Sequence, residues 1–134
     1  MIVGMSARAL SYGLKIALRF AAMRRQFGKP GDKEELPLIE YPLHQFRLFP
    51  YVANAIAFKI AANGAFDMWN DTLPELFDPE SKKVPEMHAV ISVLKGIHSW
   101  TAYKGLQECR EACGGLGYST YSKIGVIRNN FDIN

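Results

Sequence analysis

At 134 residues the chain has room for one domain and no more. Hydrophobic residues make up 49% of it, with eight Phe and six Tyr, which supplies a real core and excludes a disordered chain. A formal net charge of +3 is too small to point to nucleic acid, though it suits an anionic ligand.

A first helix is expected from about Met5 to Arg25. Leu10, Leu14, Leu18 and Ala21 recur at three-to-four spacing, while Arg8, Ser11, Lys15 and Arg19 fall elsewhere. Ser6 is placed to cap its start, and Gly28 and Pro30 to end it, with Arg24 and Arg25 in its last turn. The cations Arg8, Lys15, Arg19, Arg24, Arg25, Lys29 and Lys33 gather in the first quarter. They read either as a solvated face and a helix C-terminus or as an anion-binding run.

The polar stretch Lys29 to Glu35 reads as a loop. A second helix starts near Pro42, a favoured first-turn residue, and runs to about Trp69. Phe46, Phe49, Val52, Ile56 and Ile60 give it an apolar stripe, and Pro50 predicts a kink. Asn70 to Val84 reads as a long connection. A third helix opens at Pro85, with Met87, Val90, Ile91, Leu94, Ile97 and Leu106 on its buried side, and ends at Gly114-Gly115. The tail from Gly117 to Asn134 carries no clear pattern.

The expectation is an all-α, antiparallel helical bundle forming a single domain over residues 1–134. With three long helices, the bundle is incomplete: one side stays open unless another element covers it. Each large apolar side chain left exposed forgoes about 1.5–3 kcal/mol of burial. No stretch reads as a membrane span.

Cys109 and Cys113, four apart on a helix, share a face and read as inert buried thiols. His44, His88 and His98 form no metal set and read as satisfied structural histidines. Trp69 and Trp100 read as packing anchors. No residue is singled out as catalytic or as a metal ligand. Glu108, Glu111 and Asp132 read as solvated acids with no sign of a tuned base.

Two motifs carry possible chemistry. Arg24-Arg25-Gln26-Phe27-Gly28 sets guanidinium and amide donors beside an aromatic ring, and Arg forks suit phosphate oxygens. Glu108-Cys-Arg-Glu-Ala-Cys-Gly-Gly-Leu-Gly-Tyr118 holds a glycine turn where a main chain can approach a ligand. By spacing alone, each also reads as an ordinary helix end. The glycine turn is not the dinucleotide fingerprint, since no strand precedes it.

Together these motifs resemble the acyl-CoA dehydrogenase and oxidase superfamily. Glu40-Tyr-Pro-Leu-His-Gln-Phe-Arg-Leu-Phe-Pro-Tyr51, Ser99-Trp-Thr-Ala102 and the segment Gly105 to Tyr118 are similar to peroxisomal acyl-CoA oxidases. The ending Arg128-Asn-Asn-Phe-Asp-Ile-Asn134 looks most like their pristanoyl-type branch. The resemblance implies FAD bound across the interface of a homodimer. It gives Arg24 to the flavin pyrophosphate with Gln26 and Phe27 adjoining. It gives Gly114 and Gly115 to the adenosine half, with Glu111 where dehydrogenases usually carry Gln.

The implied reaction converts acyl-CoA to trans-2-enoyl-CoA with hydrogen peroxide formation, in a peroxisome. Two departures stand out. Leu116 replaces a common His, and the chain ends shortly before the Tyr-Glu-Gly motif that carries the family's catalytic Glu. The expected object is therefore a C-terminal helical fragment of a larger oxidase, inactive alone. The alternatives are a non-catalytic helical interaction module and a dehydrogenase fragment.

Overall fold

The structure is a computed structural model that describes residues 2–28, 31 and 34–131. Three long helices dominate it: α1 (Ile2–Met23), α2 (Pro42–Thr72) and α3 (Lys83–Ala112). A short α4 (Gly115–Tyr118) and α5 (Ile124–Asn129) follow, and single 3₁₀ turns cover Leu38–Glu40, Leu73–Glu75 and Thr120–Ser122. Among the described residues there is no strand, only one isolated bridge between Arg25 and Pro37. The all-α expectation holds.

The helices run up, down and up. The Val3 carbonyl lies 3.3 Å from the His98 ring, and the Leu10 side chain reaches Gly105. Gly13 faces Leu106 and Cys109. Residue numbers thus rise together, and α1 runs parallel to α3. Phe58 stacks on His98 at 3.8 Å while Arg47 bonds Glu108, so α2 runs antiparallel to α3. The core lies between them, around Leu10, Leu14, Leu48, Phe58, Leu106 and Cys109. Small residues let α1 and α3 close in: a Cβ on Gly105 would stand 2.6 Å from Leu10 and 2.7 Å from Tyr51. Overpacking of that kind costs about 1–3 kcal/mol.

Several boundaries differ from expectation. α1 already begins at Ile2, so Ser6 is no cap. It is buried, and its hydroxyl donates to the Ile2 carbonyl at 3.0 Å, one turn back. α1 stops at Met23, before Arg24, Arg25 and Gly28. Pro30, expected to help end it, lies outside the described residues, as do Lys29, Lys33 and Asp132. α2 begins at Pro42, continues through Pro50 and reaches Thr72. The expected long connection shortens accordingly, and Glu75 accepts from Ser81 and pairs with Lys83 across it. The tail becomes α4 and α5, with Ile124 and Phe131 buried against the bundle.

Of the apolar stripe expected in α2, Val52 packs half-buried against the core, while the rest points the other way. Leu48, Ala55 and Phe58 are buried, whereas Phe46 is 77% exposed and Ile60 68%, with Phe49 and Ile56 also exposed. Both sets have helical spacing, so α2 is apolar on two faces, as a helix buried on both sides would be.

In α3, Met87 and Leu106 are buried and Ile91 and Leu94 half-buried, but Val90 and Ile97 are exposed. The reason is length. α1 begins level with His98, so Lys83 to Ile97, about 22 Å of helix by the helical rise, extends past its start. Trp69 and Trp100 are exposed too, so neither is a packing anchor within this chain.

His98 is the buried structural histidine expected, its pKa lowered by burial. The other two depart from that reading. His88 is exposed, and the buried Nε2 of His44 has no partner among the described residues.

Candidate functional site

Parallel α1 and α3 bring both sequence motifs to the same end of the bundle. Beyond Met23 the chain turns extended instead of finishing a helix. Gln26 N–H donates to the Leu36 carbonyl at 3.0 Å, Leu36 N–H to Phe27 at 2.7 Å and Leu38 N–H to Arg24 at 2.8 Å. These bonds hold residues 24–27 as an arm against residues 36–38. The Tyr41 hydroxyl donates to the Gln26 carbonyl at 2.6 Å and locks the arm to the start of α2.

The two arginines divide their work. Arg25 Nη1 donates to the Glu35 carbonyl at 3.0 Å and stands 3.8 Å from Glu34, so it ties the loop to itself. The Arg24 side chain is exposed and bonds none of the described residues. Phe27 is 70% exposed and takes φ +56°, an uncommon left-handed conformation that the ladder on either side sustains.

At the end of α3 the glycine turn is built from distinct requirements. Gly114 adopts φ +54° and ψ −132°, open only to glycine in practice. Gly117 sits where a Cβ would stand 1.7 Å from the Arg110 carbonyl oxygen. None of the described residues lies within 4 Å of a Cβ placed on Gly114 or Gly115, so the main chain there is open on that side among them. Leu116 is half-buried beside the core. Behind the turn, burial pushes the Cys113 thiol up to about 11 and Cys109 up to about 12. Both are buried and inert at neutral pH, as expected, Cys109 within α3 and Cys113 at its C-cap.

Glu111 does more than face solvent. Its carboxylate accepts from Gln107 Nε2 at 2.7 Å and from Arg47 Nη2 at 2.8 Å. The Gln107 bond and then the Arg47 guanidinium hold its pKa below the usual carboxylate value. Arg47 Nε also donates to Glu108 at 2.7 Å, and these bonds raise its own pKa. Arg128 Nη1 donates to Gln107 Oε1 at 2.6 Å and its guanidinium lies 5.2 Å from the Tyr103 ring centre. Sequence reasoning missed Arg47, Gln107 and Arg128. The signal was faint: a cation inside an apolar helix, and acids three apart on another.

Among the described residues no three His, Cys, Asp or Glu side chains gather as a metal site. No described helix is long and apolar enough to cross a membrane.

The whole chain, residues 1–134, matches the family described as acyl-CoA oxidase, C-alpha1 domain. It is 41% identical to human peroxisomal acyl-coenzyme A oxidase 3, over 99% of this chain and 20% of that protein. Among solved structures, Caenorhabditis elegans acyl-CoA oxidase-1 complexed with FAD and ATP superposes with a TM-score of 0.88 at 36% identity. That match covers 96% of this chain and 20% of that one. Acyl-CoA oxidase-2 of the same organism, bound with FAD, ascaroside-CoA and ATP, gives 0.87 at 32% identity, over 94% and 19%. The chain spans about a fifth of the length of these relatives. It belongs to the acyl-CoA oxidase family, as a C-alpha1 domain.

Proposed function

We propose that this domain is the flavin-contacting helical part of a peroxisomal acyl-CoA oxidase. The complete protein would convert acyl-CoA to trans-2-enoyl-CoA and form hydrogen peroxide, as a step of fatty-acid β-oxidation. The observation that carries this reading is the convergence of the Arg24 arm and the Gly114 turn at one end of the bundle, in a chain of this family. Relatives named as FAD complexes support the cofactor, and one with ascaroside-CoA supports an acyl-CoA substrate. The human relative's name supports the compartment.

The residues present fit FAD. Arg24 offers the pyrophosphate a fork that bonds none of the described residues, with Gln26 and Phe27 beside it. Gly114 and Gly115 offer open main chain to the adenosine half, with Glu111 one turn behind. When bound, the flavin supplies the acceptor for the substrate's hydride. This domain's part is to bind and orient it. No residue of 1–134 is assigned the role of base, which the family resemblance places in a downstream glutamate. The exposed apolar face of α2 and α3 suits contact with the remaining domains or a second subunit in a homodimer.

The test is direct. The complete protein, loaded with FAD and given a fatty acyl-CoA, is expected to form hydrogen peroxide in proportion to enoyl-CoA. Flavin reduction without peroxide would make it a dehydrogenase. Neither signal, from a folded protein, would favour the non-catalytic interaction module that the exposed face also suits.

A further inference from the structure

The last two turns of α3 carry two carboxylates, Glu108 and Glu111, with Arg110 between them as one neighbouring cation, immediately before the Gly114 turn. A helix C-terminus is already the negative end of its dipole. A ligand bearing phosphates meets an opposing field there unless a positive charge offsets it. The Arg47 guanidinium, from α2, provides one: it lies 2.7 Å from Glu108 and 2.8 Å from Glu111. Gln107 takes the second oxygen of Glu111, and Arg128 from α5 takes the carbonyl of Gln107. Both Glu111 oxygens are thus engaged within the chain, which leaves this side chain little freedom to meet a ligand by itself.

We propose that Arg47 is a positioning residue for the cofactor turn, neutralising Glu108 and Glu111 so that the Gly114–Gly115 main chain can receive an anionic dinucleotide. The inference rests on the reading that FAD binds at this end. Arg47 does not touch the flavin in this role; it acts through the two glutamates. A lysine would keep the charge but lose the fork that spans both carboxylates.

A plain α2–α3 clamp would use the same contacts, and the two roles separate by charge. If Arg47 acts by compensation, deleting its charge harms FAD binding, and deleting the Glu111 charge as well restores it. If it only clamps, the second change restores nothing. The experiment uses the complete protein and measures FAD dissociation constants by flavin fluorescence for wild type, Arg47→Met and Arg47→Met/Glu111→Gln.

Arg47→Met is expected to bind FAD about tenfold more weakly, the effect of one uncompensated charge near the surface. The double variant is expected to return to within about threefold of wild type. Unchanged binding by Arg47→Met, or a double variant as weak as the single, overturns the inference and leaves the FAD reading intact. Wild-type protein that binds no FAD overturns both. Should Arg47→Met fail to fold, Arg47→Lys carries the test: affinity within about threefold of wild type supports compensation, and a loss of about tenfold overturns it.

Discussion

Gly117 lies directly on the Arg110 carbonyl: a Cβ at that position would stand 1.7 Å from the oxygen and 2.7 Å from the carbonyl carbon. The obstacle is backbone, so no side-chain rotation relieves it. The third glycine of the turn is therefore set by close approach, and Gly114 by its positive φ. Gly117→Ala is expected to destabilise the fold by about 3 kcal/mol, the upper range for overpacking. Chemical denaturation measures it, and a midpoint equal to wild type would contradict the packing described.

The two thiols offer a pH test. Burial raises Cys113 to about 11 and Cys109 to about 12, against an ordinary value of 9.0 for each. In the unfolded chain both ionise near the ordinary value, so above it the unfolded state has bound fewer protons than the folded one. Stability from this source is intact below pH 9 and declines as pH rises toward the folded values. Native protein at pH 8 is expected to resist a thiol reagent that labels both cysteines in denaturant. Rapid labelling of the native form would show that the thiols are not buried.

The second apolar face of α2 predicts behaviour of the domain on its own. With Phe46, Phe49, Ile56 and Ile60 exposed, the isolated domain is expected to self-associate as its concentration rises in sedimentation. Phe46→Ser with Ile60→Ser is expected to reduce that association. Leu48→Ala is the contrast, costing about 2–5 kcal/mol because Leu48 is fully buried. A monodisperse wild-type domain would show that the face needs no cover.

Apolar periodicity locates helices well and their partners poorly. Leu10, Leu14 and Ala21 marked the buried face of α1 because that helix has one apolar side. In α2 the stripe through Phe46 and Ile60 is as regular as the one through Leu48, Ala55 and Phe58. Spacing says that both need burying, but not which is buried by this chain. Ile97 and Trp100 misled for the same reason. Pro42 and Gly114 were legible as ends because their backbone preferences are local. Ser6 was not, since a hydroxyl that caps a helix looks identical to one that bonds back within it.

The glycine turn and the arginine arm were both visible as motifs. Their common end of the bundle follows from α1 and α3 being parallel, a relation that depends on the register between Leu10 and Gly105. Arg47 was invisible as part of the site because its glutamate partners lie more than sixty residues away in sequence.

In the proposed function this end of the bundle contacts FAD, with Arg24 on the pyrophosphate. The measurement is an FAD titration of the complete protein, wild type against Arg24→Ala, with thermal unfolding of the cofactor-free forms alongside. Loss of a charge-assisted bond to phosphate predicts FAD binding weaker by about ten- to a hundredfold. Unfolding should not change, because the Arg24 side chain bonds none of the described residues. Equal FAD affinity in the two proteins would contradict a role for Arg24 at the pyrophosphate.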